Sequence, residues 1–221
     1  MNDQATKLCA IVGVGPGLGL AIARRFAREG FHLALVARDP DKLRDNASAL
    51  ASQTAVEIYP TDAADGDALA ATFAAVRERQ GAPDVLVYNA AVLDRGKPSE
   101  LTADGLVRDF RVNVVGATLA AQAVLPAMRE RGEGTILFTG GGLALQPYPD
   151  FASLAIGKAG IRSLTFSLAQ EVADDGIHVG TVTICGFIRA GTKFDPDTIA
   201  ESYWELHSED RRSWSHERTI R

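Results

Sequence analysis

Cysteine is almost absent. Cys9 and Cys185 are the only two in 221 residues, and neither belongs to a CxxC pair. That excludes a disulfide scaffold and a paired-thiol redox or metal motif, and leaves two buried free thiols in a reducing cytoplasm as the reading. Histidine is scarce too, and no His/Cys/Asp grouping has metal-ligand spacing, so no metal is expected. Positive charge is in deficit, 23 Lys and Arg against 28 Asp and Glu, for a net charge of −5. A basic footprint for nucleic acid is therefore missing. No apolar run approaches the ~18 residues of a membrane span, so no membrane partner is expected. The opening MNDQATKLCAIVGVGPG lacks a basic n-region and its apolar stretch is broken by Gly and Pro, which predicts no signal peptide. Linkers, low-complexity tracts and repeats are also lacking, and residues 1–221 are expected to form one domain.

What is present is an alternation. Apolar runs at 8–13, 31–37, 55–60, 84–89, 134–140 and 177–184 read as strands, most of them continuous rather than alternating, as strands buried on both faces do. Helix-period segments lie between them at 17–29, 40–52, 65–80, 102–131 and 152–174. Alternating β and α units predict an α/β fold, a doubly wound, Rossmann-like parallel sheet in a three-layer α/β/α sandwich. A short helix is predicted over 195–208, with Asp195 as cap and Pro196 in the first turn. The charged remainder, 209–221, is too polar for a core strand and reads as a lid, a subunit contact or a frayed tail. The helices over 102–131 and 152–174 are apolar around much of their circumference, which predicts a homodimer or homotetramer built on them.

Strand one runs into GVGPGLGLAIARRF, whose glycines fall at 13, 15, 17 and 19. GxGxxG spacing fails because Leu18 occupies its last position; GxxxGxG fits, through Gly13, Gly17 and Gly19. Glycines let main chain approach a pyrophosphate, and the helix N-terminus behind them offers free N–H groups. Strand two ends in Ala37-Arg38, with no carboxylate at Ala37 for a ribose 2′-hydroxyl and a guanidinium suited to a 2′-phosphate. NADP is thus favoured over NAD, although Asp39 is placed to compete for Arg38. Lys158, in FASLAIGKAG, either snorkels to water along its stem or holds a polar group.

These features together resemble the short-chain dehydrogenase/reductase family over about residues 7–190. Gly13, Gly17 and Gly19 match its TGxxxGxG loop with Val12 in place of Thr, and YNAA at 88–91 matches its NNAG with Asn89 and Ala90 kept. The resemblance implies a cofactor held by Gly13, Gly15, Pro16, Gly17, Leu18 and Gly19, by Asp62 and Ala63 at the adenine, and by Asn89, Ala90 and Ala91. Lys158 would reach the nicotinamide ribose, with Gly186 and Ile188 near it in the stretch where Cys185-Gly186 replaces Pro-Gly. It also implies a Ser, Tyr and Lys active site with a helix asparagine. Here Asn113 and Lys158 match, while Gly141 falls at the serine and Leu154 at the tyrosine, four residues before Lys158. The proton donor is missing.

Tyr148, on the loop before the Lys158 helix, is the candidate replacement. Tyr203 and His207 on the late helix, which covers the substrate side in the family, are further candidates, and Thr139 is the hydroxyl nearest the vacant serine. His32 and His178 read as structural. The expected function is an NADP(H)-dependent oxidoreductase acting on a small molecule with a non-standard proton donor. The alternative is an NADP(H)-binding protein without turnover. Retention of segment 186–208 favours the enzyme.

Overall fold

The computed structural model describes residues 6–221. The first five residues, part of the stretch read above for a signal peptide, lie outside the described residues. Seven parallel strands form one sheet in the order β3-β2-β1-β4-β5-β6-β7. They are β1 (Leu8–Val12), β2 (His32–Ala37), β3 (Val56–Pro60), β4 (Val85–Tyr88), β5 (Gly134–Gly141), β6 (Ile177–Ile184) and β7 (Glu217–Ile220). Successive side chains on a strand point to opposite faces, so the continuous apolar runs feed two cores. Ala10, Val12, Leu86, Tyr88, Ile136 and Phe138 face one. Cys9, Ile11, Leu33, Leu35, Val87 and Leu137 face the other.

Helices α3 (Gly66–Gln80), α5 (Gly116–Arg131) and α6 (Ala152–Glu171) cover the first face, and α1 (Leu18–Arg28), α2 (Pro40–Ser48) and α7 (Pro196–His207) the second. Helix starts follow local chemistry. Asp39 accepts from the N–H groups of Asp41 and Lys42, both at 3.1 Å, and Asp65, Thr102 and Asp195 cap α3, α4 (Ala103–Phe110) and α7 in the same way. Two helices end earlier than their periodicity predicts, α2 at Ser48 and α6 at Glu171, where the chain continues in tight turns.

Three expectations need correction. The helix expected over 102–131 runs without a break over 103–131 but is not α-helical throughout: a π turn, Arg111–Val115, joins α4 to α5. The Tyr88 hydroxyl donates to the Val112 carbonyl over 2.5 Å inside that turn, and Gly116 has no Cβ to obstruct the phenol. By length and composition 103–131 would also suffice to cross a membrane, contrary to the expectation that nothing came near that length. Its alanines raise the apolar content without a contiguous bulky run, and Ala117, Ala120, Val124 and Met128 are packed on the sheet.

The third concerns the tail. Residues 217–220 are neither lid nor frayed end but the edge strand β7, pairing Thr181 with Glu217 through to Ile184 with Ile220. Its polarity is satisfied in place: Arg162 grips the Glu217 carboxylate at 2.8 and 3.0 Å, and the Thr183 hydroxyl donates to it at 2.7 Å. Trp214, just before the strand, stacks flat on His178, centroids 4.8 Å apart.

Candidate active site

β1 and β4 are neighbours at the middle of the sheet, where the strand order reverses. Open α/β sheets bind ligands in the crevice beyond the strand ends at such a point. Gly13 sits there with φ of +93°, and a Cβ on it would lie 2.3 Å from the Ala90 nitrogen. A Cβ on Gly19 would lie 2.7 Å from the Gly13 oxygen. Both are glycines because main chain meets main chain. Gly15 and Gly17, in contrast, have nothing within 4 Å of a Cβ and leave the outer surface of the turn open. Pro16 is exposed on that surface while Leu18 turns into the core. Helix α1 starts at Gly17 without a capping side chain and without an acidic residue in its first turn. Its leading N–H groups are available to an anion, which is what a dinucleotide pyrophosphate requires.

Arg38 is exposed at the tip of β2 and makes no ion pair among the described residues. Asp39, the anticipated competitor, is instead occupied by the α2 cap and by Lys42 at 3.2 Å. These contacts hold the Asp39 carboxyl below the usual carboxylate range. Asp62 follows β3; one oxygen accepts from the Ala64 N–H at 3.0 Å, and Ala63 beside it is buried. Ala90 abuts Gly13, and Ala91 is half-buried next to it. On the far side, Gly186 lies against the Phe194 ring, whereas Ile188 is exposed.

Lys158 does not snorkel. It is 9% exposed, and its ammonium donates to the Thr139 carbonyl over 2.7 Å. Desolvation pushes its pKa down to about 8. Position 141 is next to it: a Cβ on Gly141 would lie 3.2 Å from Lys158 Cγ. Leu154 is buried one helical turn before it. Gly141 and Leu154 thus flank Lys158, and neither carries a hydroxyl. Asn113 is brought to the same helix from the π turn, close enough that a Cβ on Gly157 would lie 2.8 Å from its own. Its side-chain oxygen accepts from the Val92 N–H at 2.8 Å, anchoring the segment after β4.

None of the other candidate acids hydrogen-bonds Lys158, whose ammonium goes to the Thr139 carbonyl. Tyr148 is 58% exposed and lines an apolar groove of about 750 Å³ with Leu101, Leu106 and Ile156, a groove that Lys158 does not line. Tyr203 and His207 are turned away from the substrate side, because α7 packs on α1 in the second core. Tyr203 is fully buried, and burial raises its pKa. His207 lies beside the Thr135 hydroxyl at 2.9 Å, and desolvation pushes it down to about 4. Thr139 is committed too, with its hydroxyl on Asn89 at 2.8 Å and on Tyr203 at 2.6 Å. Within the retained segment 186–208 the helix α7 is a core element, whereas residues 186–191 are exposed.

Sequence reasoning missed one buried pair beside the centre. The Ser153 hydroxyl donates to the Asp109 carboxylate over 2.7 Å and ties α4 to α6. Nothing local in the sequence joins residues so far apart.

The model of the short chain dehydrogenase family matches residues 7–197. The chain belongs to that family. Among its relatives, 2-(S)-hydroxypropyl-CoM dehydrogenase 3 of Xanthobacter autotrophicus is 32% identical over 191 residues, 84% of this chain and 75% of that protein. Among solved structures, a metagenomic short-chain oxidoreductase in complex with NADP is 29% identical with a TM-score of 0.90, covering 98% of each chain. L-sorbose reductase from Gluconobacter frateurii, complexed with NADPH and L-sorbose, is 26% identical with a TM-score of 0.90, covering 100% of this chain and 97% of that one. The chain is thus an oxidoreductase of short-chain dehydrogenase type by family, with the three-layer fold that its elements predict.

Proposed function

We propose that this chain is an NADP(H)-dependent oxidoreductase acting on a small organic molecule without a tyrosine acid. The observation that carries the reading is Lys158, held in place beside Gly141 and Leu154, with the open glycine turn intact on the same edge of the sheet. The solved relatives with NADP and NADPH support the choice of nucleotide, as does Arg38, which has no ion pair among the described residues. Bound NADPH supplies the hydride. The chain's own part is to seat the pyrophosphate on the glycine turn, present Arg38 to the 2′-phosphate and hold Lys158 at the ribose. Asn113 keeps the wall at Val92 in place. With no phenol or serine at hand, Lys158 is the titratable group poised to give or take a proton, since burial brings it close to neutral pH. The two free thiols, Cys9 buried and Cys185 half-buried rather than buried as expected, support a reducing, cytoplasmic setting.

A second reading has its own observation, the loss of both hydroxyls at 141 and 154: a member that binds NADP(H) and does not turn over. The experiment is an NADPH fluorescence titration followed by a panel of carbonyl, imine and activated-alkene substrates. Saturable binding with NADPH oxidation on any panel member supports the enzyme. Saturable binding with none supports the second reading, and no binding overturns both.

A further inference from the structure

Tyr203 is a phenol where a phenylalanine would fill the same space. It is fully buried in the core beneath α7, on the face of the sheet opposite Lys158. A buried hydroxyl without a partner is costly, so its one contact needs a reason. That contact is the Thr139 hydroxyl at 2.6 Å. The same hydroxyl reaches the Asn89 side-chain oxygen at 2.8 Å, and the Asn89 amide nitrogen reaches the Gly13 carbonyl at 2.8 Å.

The direction of every proton in this chain follows from its last member. A main-chain carbonyl only accepts, so Asn89 must turn its NH₂ to Gly13 and its oxygen to Thr139. Thr139 then donates to Asn89, and its hydroxyl has no second proton. Tyr203 must therefore donate to Thr139. The chain is polarised from the far core to the glycine turn, each link donating toward Gly13.

We infer that Tyr203 is a positioning residue for the dinucleotide site. Its proton fixes the Thr139 hydroxyl, which fixes the Asn89 amide, which holds the carbonyl of Gly13 at φ +93°. Thr139 is also the residue whose carbonyl receives Lys158, so one side chain on α7 registers both the phosphate turn and the lysine. The inference deepens the NADP(H) reading, and its test includes a readout that does not need the nucleotide.

The variant is Tyr203→Phe, compared with Thr135→Val. The second removes a contact between the same strand and the same helix, Thr135 to His207, at the other end of β5. NADPH affinity by fluorescence should fall about three- to tenfold in Tyr203→Phe, as for one lost hydrogen bond, and stay unchanged in Thr135→Val even if both lower Tm. Amide exchange of the 13–19 turn in the free protein should quicken in Tyr203→Phe alone. In an Asn89→Ala background, Tyr203→Phe should cost no further affinity. Equal effects of the two variants on the turn, or the same Tyr203→Phe penalty with Asn89 already removed, overturns the inference. Should the wild type fail to bind NADPH, the functional reading falls, while turn exchange still decides this one. If Tyr203→Phe does not fold, Thr139→Ser, which keeps the hydroxyl, must retain affinity and turn protection while Thr139→Val loses both; equal behaviour of these two also overturns it.

Discussion

The Lys158 ammonium and the Thr139 carbonyl, on α6 and β5, lie 2.7 Å apart, and this one contact keeps a cation inside the protein. A buried charge is tolerated only with a partner, and here the partner is a neutral dipole rather than a carboxylate. The cost appears as a lowered pKa.

That lowering sets a pH dependence. Burial brings Lys158 down from its ordinary 10.5 to about 8. Between those values the unfolded chain binds more protons than the folded one, so folded-state stability rises with pH across the window. Below about 8 the cost of holding the charge is present in full. Lys158→Met should remove this cost together with the Thr139 contact. The stability difference, variant minus wild type, should therefore fall by on the order of 2 kcal/mol as pH rises from 8 to 10.5. Urea denaturation across that range checks it. A flat difference would show a lysine that titrates normally.

Cofactor choice is expected to rest on Arg38. With Asp39 bound to the α2 cap and Lys42, the guanidinium has no ion-pair partner among the described residues. Arg38→Asp should weaken NADPH by about tenfold or more, the range for a charge-assisted hydrogen bond, and leave NADH little changed. Parallel fluorescence titrations decide it, and an unaltered NADPH/NADH ratio would make Arg38 a surface charge only.

Association is the next expectation. Val107, Phe110 and Val115 on the α4–α5 segment and Ile156 on α6 are exposed large apolar residues on the helices anticipated as an interface. A homo-oligomer through this face should persist at micromolar concentration, as standard interfaces of about 1,600 Å² do. Multi-angle light scattering should show a dimer or tetramer for the wild type and a shift toward monomer for Phe110→Glu. A wild-type monomer at that concentration contradicts it.

The vacant acid can be refilled. A carbonyl reduced beside Leu154 and Gly141 develops alkoxide charge with no phenol or serine to meet it, and losing such a donor costs about 10²–10³ in rate. Wild type should therefore be poor on simple ketones. Gly141→Ser with Leu154→Tyr should raise kcat/KM for NADPH-dependent ketone reduction at least about tenfold, through a phenol one turn from Lys158. The new serine needs Lys158 to give by a few tenths of an ångström, since a Cβ at 141 would sit 3.2 Å from its Cγ. Intact NADPH binding with no gain would break the assignment of Leu154 to the acid position.

Much of this was legible in the chain itself, because the physics behind it is local. Continuous apolar runs set buried strands, side-chain caps such as Asp39 and Asp195 set helix starts, and glycines at 13 and 19 were readable since main-chain approach admits nothing larger. The four-residue spacing of Leu154 and Lys158 is likewise a property of one helical turn. What lay beyond the sequence depends on which distant segments meet. Whether Lys158 snorkels was settled by a carbonyl on β5, far away in the sequence. Tyr203 and His207 looked like residues of the substrate side until α7 was seen to pack on α1. The polar tail became β7 because Arg162 and Thr183 satisfy Glu217. Periodicity and spacing report the neighbours along a chain; the partner that makes a buried charge or hydroxyl tolerable comes from packing across the sheet, and only the tertiary structure supplies it.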